Sequence, residues 1–183
     1  MYIYILIGGL VLLIILYFIL TWNKFISLNN DAQEAFGTMD VYLKKRIDLI
    51  PNLVEVVKGY AKHEKVTIES IASIRTNAYE DLSLSDKLKT NQEANSSIAK
   101  LLALVEDYPE LKASENFLSL SESLSSIEDE IAKSRKYYNA VIRIYNNKVE
   151  KFPSNIVAKI CGFKTKEMFK AKDIERESVT VQL

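Results

Sequence analysis

Hydrophobic residues form one unbroken run at the start of the chain and a helical stripe along most of the remainder. From Met1 to Trp22 there is no charged residue, proline or amide, and later segments place apolar residues at alternating steps of three and four. A helical run of this length spans the ~30 Å hydrocarbon core of a bilayer at about 1.5 Å per residue. Alternating steps of three and four are typical of a helix with one buried face. The pattern therefore predicts an all-α protein with a transmembrane anchor over 1–22.

Two other interpretations of the first segment fit less well. A cleaved signal peptide needs basic residues before an apolar run of about 7–15 residues and a small-x-small cleavage site. Here no Lys or Arg precedes the run, and bulky residues follow it. A buried core helix is shorter and is rarely apolar all round. We therefore expect a retained single-pass anchor, and Lys24 directly after it favours an outside N-terminus and a cytoplasmic body.

Amphipathic helices are predicted for the remainder, separated by short breaks. Their expected ranges are about 23–48, 52–79, 86–107 and 114–152, followed by a tail over 153–183. Pro51 disfavours helix at Ile50 and suits the first turn of a new helix, so we place a sharp break at 48–51. Ser114 is the predicted N-cap of the last helix. Short breaks favour an antiparallel, up-and-down four-helix bundle that continues from the anchor. Because successive helices then run in opposite directions, the fourth helix returns toward the membrane, and we expect the tail to lie beside it.

The apolar seam of the first of these helices is the clearest along the chain. It comprises Phe25, Leu28, Ala32, Ala35, Met39, Tyr42, Leu43, Ile47 and Ile50. No proline and only Gly37 interrupts it. We therefore expect this helix to run on directly from the anchor.

Charge and composition exclude several classes of function. The 24 basic and 24 acidic residues balance, so no overall field points to nucleic acid. A single cysteine, Cys161, allows no intrachain disulfide. His63-Glu64 is followed by Thr67, where a zinc-protease helix needs a second histidine. We expect no metal, no cofactor and no catalytic constellation.

Polar residues lie within or beside the predicted seams of the later helices. They are Arg75, Glu106, Glu128, Arg135, Asn139 and Asn146. A bundle can satisfy such groups by pairing them across helices, because an unpaired buried charge is very unfavourable. The favoured interpretation is a core polar network that fixes helix register. The alternative, a carboxylate-lined metal site or proton relay, is disfavoured because di-metal bundles use Glu-x-x-His pairs and this chain has one histidine.

Lysines and apolar residues alternate in the tail. The lysines are Lys159, Lys164, Lys166, Lys170 and Lys172. Basic amphipathic segments bind anionic membrane surfaces. Alternatively, the apolar residues cap the open end of the bundle and the lysines are solvated. Both interpretations stay open at this point.

Several blocks of the chain carry a family resemblance in their order and spacing. They are Trp22-Asn23, the stretch from Val41 to Val54, the stretch from Gly59 to Glu64, the stretch from Glu106 to Lys112, the stretch from Arg135 to Asn139, Tyr145-Asn146 and Phe152-Pro153. Over about residues 22–169 these blocks resemble the LemA family. The resemblance implies a bacterial, single-pass protein of the inner membrane with a four-helix bundle. It implies no reaction, since no catalytic residues are established in the family. Lys45 departs from the arginine that the family often has there.

The resemblance, together with the alternating direction of the helices, predicts a charged distal tip at the end of the bundle that lies far from the membrane. The turns near 48–52 and 108–112 would lie together, far from the membrane. The residues concerned are Lys44, Lys45, Arg46, Asp48, Asn52, Asp107, Glu110 and Lys112. This set is either a partner-binding tip or two turns with local charge pairing.

The sequence favours a non-enzymatic, membrane-anchored scaffold or regulator of envelope components. The alternative is a lipid-sensing or membrane-remodelling protein that acts through the Lys-rich tail. Membrane lipid, reached through the N-terminal helix, is an expected partner. A protein partner of unknown identity is expected as well, and the oligomeric state stays open.

Overall fold

The computed structural model describes residues 1–61 and 79–169, except for the side chains of 84 and 85. Within these residues every regular element is a helix and no strand occurs. The all-α prediction is therefore confirmed. The up-and-down four-helix bundle stays a prediction.

The first helix, α1, spans Tyr2–Tyr60 and is 59 residues long. Its side chains are exposed from Met1 to Tyr17, and this apolar part is long enough to cross a membrane. From Phe25 onward the predicted seam residues are buried, apart from the half-buried Tyr42. The expected continuation of the apolar segment into the following helix is thus observed as one helix.

The predicted break at 48–51 is wrong, because α1 passes through Pro51 without ending. Proline inside a helix removes one backbone hydrogen bond and costs about 3 kcal/mol or more. The buried stripe nevertheless continues across it through Ile50, Leu53 and Val57, which are at most 2% exposed. Each such side chain gains about 1.5–3 kcal/mol on burial, so together they outweigh the proline. Most of the predicted helix 52–79 lies outside the described residues.

Between residues 79 and 153 the structure describes three helices, which precede the short last described helix. Helix α2 spans Leu84–Glu106, α3 spans Pro109–Lys112 and α4 spans Glu115–Glu150. Ser83 caps α2 by accepting a hydrogen bond from the Asp86 N–H at 3.2 Å. The predicted cap of the long helix is confirmed, because Ser114 Oγ accepts from the Phe117 N–H at 3.3 Å.

The last helix, α5, spans Ser154–Cys161 and falls within the predicted tail. It ends at Gly162, whose φ of 76° is the left-handed conformation that glycine adopts most easily. Residues 163–169 then continue without regular secondary structure, and we call this segment the strap.

The chain divides into two compact units. Unit 1 comprises Met1–Gly37 and Ser134–Leu183, and unit 2 comprises Thr38–Lys133. In unit 1, Phe25 and Leu28 pack with Tyr145, Val157 and Ala158. A second cluster joins Ala32 and Ala35 to Tyr138, Val141 and Ile142. Since rising numbers in α1 meet falling numbers in α4, these two helices are antiparallel within unit 1.

Candidate functional site

The centre of unit 2 holds a buried arginine. The Arg46 side chain is 1% exposed, and its Nη1 donates to the two carboxylate oxygens of Glu128 at 3.0 and 3.3 Å. Its Nη2 donates to the Asn91 side-chain oxygen at 2.8 Å and to the Asn91 carbonyl at 3.3 Å. Charge-assisted bonds of this kind are about twice as strong as neutral ones. The guanidinium therefore links α1, α2 and α4 inside unit 2.

The same network extends to a buried tyrosine. Asn91 Nδ2 donates to the Tyr79 hydroxyl at 2.9 Å, and that hydroxyl donates to Asp40 Oδ1 at 2.9 Å. Lys87 Nζ lies 2.6 Å from the other Asp40 oxygen and 5.2 Å from the centre of the Tyr79 ring. Burial, followed by the hydrogen bond to Asp40, raises the pKa of Tyr79 well above its usual value. Tyr79 is therefore neutral at physiological pH.

Most polar atoms of these groups are paired, and the buried Nε of Arg46 is the exception among the described network atoms. The Arg46 guanidinium, the Asn91 amide and the Tyr79 hydroxyl each bond to other members of the network. Such buried networks fix the register of the elements that they join, as long as their members are paired. We interpret the network as a structural lock within unit 2.

Unit 1 contains a second polar arrangement of a different kind, in which two asparagines of α4 hold the backbone of the strap. Asn146 accepts from the Lys166 N–H and donates to the Lys166 carbonyl, both at 2.8 Å. Asn139 makes the same pair with Phe169, at 2.8 Å from the N–H and 2.9 Å to the carbonyl. We call Asn139 and Asn146 the clamp. Because higher strap numbers meet lower α4 numbers, the strap runs antiparallel to α4.

Aromatic side chains hold the two ends of the strap. Phe163 stacks on Phe25 with ring centres 4.7 Å apart, and Phe169 meets Tyr138 edge to face at 5.4 Å. Between them Lys166 Nζ lies 5.4 Å from the Tyr145 ring centre. Such ring and cation contacts add about 0.5–1.5 kcal/mol each. Burial raises the pKa of both Tyr138 and Tyr145.

The predicted core polar network is only partly brought together. Glu128 pairs with Arg46, whereas Glu106 is exposed and pairs with Lys112 at 2.6 Å. Arg135 lies 6.0 Å above the ring of Phe169. Asn139 and Asn146 form the clamp, and Arg75 lies outside the described residues. Of the six residues, Glu128 thus joins the Arg46 network, Asn139, Asn146 and Arg135 lie at the strap, and Glu106 belongs to neither arrangement.

The predicted distal tip is also divided. Arg46 belongs to the buried network, so it cannot present its charge to a partner. Lys44 pairs with Asp48 at 3.1 Å, and Lys45 lies over the Tyr42 ring at 5.5 Å.

The turn predicted at 48–52, which was expected to bring the two halves of the tip together, is absent. Since the chain does not turn at 48–52, Asp48 and the exposed Asn52 lie along α1. Asp107 ends α2, and Glu110 is exposed on α3. Within the described part of the chain, no hydrogen bond or ion pair joins these two groups.

The tail lysines occupy different surroundings. Lys159 and Lys164 are exposed, while Lys166 is half-buried over Tyr145. Lys170 and Lys172 lie outside the described residues. Of the three tail lysines that the structure describes, Lys159 and Lys164 are therefore the two whose side chains are exposed.

Metal ligands do not cluster in the described ranges 1–61 and 79–169. These residues hold no group of three His, Cys, Asp or Glu side chains that could bind a metal ion. His63 lies outside them. The described cysteine, Cys161, is free and packs beside the cluster around Phe25.

Sequence reasoning missed Asp40, Tyr79, Lys87 and Asn91. A signal for Asn91 was present, because it continues the stripe of Ala94, Ile98, Leu101 and Val105 backwards by three residues. Arg46 likewise falls between the seam positions Leu43 and Ile50. For Asp40 and Lys87, which lie beside their stripes, the sequence carried no comparable signal.

Comparison with known proteins places these features in a family. The LemA family model matches residues 35–183. Magnetosome protein MamQ 2 of Paramagnetospirillum magneticum is 26% identical over 180 residues, which cover 84% of this chain and 66% of the relative. Protein LemA of Metamycoplasma hominis is 27% identical over 158 residues, covering 86% of this chain and 72% of the relative. The chain thus spans just under two thirds of the length of this MamQ protein.

Proposed function

This chain belongs to the LemA family, and from that membership we propose that it is a non-enzymatic, membrane-anchored module that scaffolds or regulates bacterial envelope components. The observation that carries the proposal is the continuity of α1. Its exposed apolar segment is long enough to cross a membrane, and the same helix supplies the buried seam of the folded part. A protein built in this way holds its polar surface at a membrane.

The buried polar groups support a structural rather than a chemical role. Arg46, Tyr79 and Asn91 form hydrogen bonds with one another and with Glu128 and Asp40. A reacting group needs a free face toward a substrate, whereas the two terminal nitrogens of Arg46, the Asn91 amide and the Tyr79 hydroxyl bond to other groups of the fold. The exposed charged residues are the better candidates for recognition.

Site-specific crosslinking in cells tests the scaffold role. A photoreactive residue at Asp107, next to the exposed Glu110 on α3, should capture one discrete protein in the membrane fraction. Charge reversal by Glu110→Lys should abolish that product without changing the protein level. The matched control carries the same photoreactive residue at Lys89, whose side chain is 75% exposed. Capture of lipid and of this chain alone at Asp107 would count against a partner-binding surface.

A second candidate function is lipid contact through α5. Its buried residues Val157 and Ala158 pack beside Phe25, directly after the apolar segment of α1. Its outer side exposes Ile156 and Ile160, which are 51% and 68% exposed. Apolar residues of a short amphipathic helix at that level favour the bilayer interface, and Lys159 and Lys164 favour anionic headgroups. This candidate retains the lipid-sensing alternative and assigns it to a folded helix.

Quenching by brominated lipid tests this contact. A fluorophore on Ile160→Cys, in a Cys161→Ser background and in full-length protein reconstituted in nanodiscs, should be quenched. The same fluorophore on Tyr137→Cys, an exposed position of α4 further from the apolar segment, is the matched control. Lys159→Glu should weaken quenching in anionic lipid only. Equal signals at positions 160 and 137 would remove lipid contact from consideration.

A further inference from the structure

The clamp and the strap are matched in length. Asn139 and Asn146 are two turns apart on α4, about 10.5 Å at 1.5 Å per residue. The two residues that they hold, Lys166 and Phe169, are three positions apart, about 10 Å in an extended chain. The two clamp amides on one face of α4 are therefore spaced to bind two residues that lie three positions apart in an extended peptide. Each amide binds the N–H and the carbonyl of a single residue, at 2.8–2.9 Å.

This arrangement defines the ligand by its chemistry. The clamp recognises backbone, so it requires an extended peptide and reads no side chain. Selectivity comes from the sockets at the ends, where Phe163 stacks on Phe25 and Phe169 meets Tyr138. The ligand class is therefore an extended segment with aromatic residues six positions apart and a basic residue midway, as in residues 163–169.

We propose that the clamp surface of unit 1 is an exchangeable peptide-binding site that also takes residues 163–169 from a second copy of this chain. Every contact of the strap in its own unit can be made identically in trans, so exchange between copies needs no new interaction. The strap follows Gly162, which has φ 76° and nothing within 4 Å of its Cβ position, so this residue can redirect the chain. Anchoring confines the copies to one membrane and raises their effective concentration. The inference stands whether or not a partner binds near Glu110.

Photocrosslinking between two tagged full-length copies in one membrane tests the exchange. The donor copy carries benzoylphenylalanine in place of Phe169, ring for ring, and the acceptor copy is intact. We expect a dimer whose crosslink maps to the acceptor around Tyr138 or Phe36. Asn139→Ala with Asn146→Ala in the acceptor alone should lower this product about tenfold or more, since each clamp residue contributes two hydrogen bonds. The same two substitutions in the donor alone should increase the amount of this product, because the donor strap is then no longer held by the clamp of its own unit.

The opposite effects of one mutation pair in the two copies distinguish exchange from a purely structural role. Folding of each variant is checked by circular dichroism. Asn139→Asp, which keeps the shape of the side chain but places a carboxylate oxygen against the Phe169 carbonyl in place of the amide donor, replaces any variant that does not fold. A synthetic peptide of residues 162–169 should compete, whereas the same peptide N-methylated at positions 166 and 169 should not. The proposal is overturned by the absence of any product between copies, by a product that ignores the acceptor clamp, or by equal competition from both peptides.

Discussion

Removing Glu128 should destabilise unit 2 more than removing Arg46, although the two side chains form one ion pair. The side chain of Arg46 is 1% exposed and that of Glu128 is 44% exposed. Glu128→Ala therefore leaves a guanidinium buried without its carboxylate. Arg46→Met leaves a carboxylate that water already reaches, together with an Asn91 amide that has lost one partner. The two side chains share one ion pair, but they differ in their exposure to solvent.

The magnitudes follow from these environments. Removing one partner of a buried pair costs about 3–5 kcal/mol, and the partial exposure of Glu128 places its loss near the lower limit, about 3 kcal/mol. Arg46→Met forfeits the hydrogen bonds to Asn91 and also removes a buried charge, so we expect about 1 kcal/mol. The double variant should cost about as much as Arg46→Met alone. The coupling energy of the cycle is then about 3 kcal/mol.

Amide hydrogen exchange on the full-length protein in nanodiscs measures this asymmetry locally. Peptides from α1 around Arg46 and from α2 around Asn91 report the opening free energy of unit 2. Glu130→Ala is the matched control, because Glu130 lies on the same helix and its ion-pair partner within the described residues is the exposed Lys133, at 2.7 Å. It should cause no measurable change. A Glu128→Ala effect no larger than that of Arg46→Met would refute the reasoning.

Three further predictions concern stability, each measured by unfolding of the full-length protein in mild detergent. Because the pKa of Tyr79 is raised above its usual value, its stabilising contribution is present below about pH 10 and is lost as the pH rises toward the folded-state pKa. The destabilisation caused by Tyr79→Phe should therefore shrink between about pH 8 and about pH 11, and a constant difference would contradict this. Gly37→Ala should stabilise the protein by about 0.5–1 kcal/mol, because a Cβ there meets nothing within 4 Å and the position lies inside α1. A lowered melting temperature would show that the helix needs this glycine. Phe25→Ala should cost about 3–5 kcal/mol, since Phe25 is fully buried, whereas Phe152→Ala at an 80% exposed position should stay within about 0.5 kcal/mol. Similar effects at the two positions would contradict the assigned core.

The helical framework was predictable because its signal is local and repeated. Residues at steps of three and four along α1, from Phe25 to Ile50, are buried as the spacing predicted. The break predicted at Pro51 was wrong because the effect of proline on Ile50 was considered without the buried residues beyond it. The helix continues because Leu53 and Val57 extend the same buried stripe beyond the proline.

The candidate sites were less predictable, because their partners are distant in sequence. Asn139 and Asn146 were expected within or beside the seam of the long helix, and both lie on α4. Their partners are the backbone N–H and carbonyl groups of Lys166 and Phe169, and no pattern of side chains in the sequence indicates a backbone partner. Arg46 was assigned to the distal tip because a turn was expected directly after it, although its position between two seam residues indicated burial.

The stiffness of α1 has a mechanical consequence. A spanning segment changes its inclination when the bilayer becomes thinner or thicker. Phe25 belongs to the same unbroken helix as the apolar segment and holds Tyr145 and Phe163 against it. We therefore expect a change of inclination of the apolar segment to turn the part of α4 in unit 1, α5 and the strap with it. Bilayer thickness would then set the inclination of unit 1.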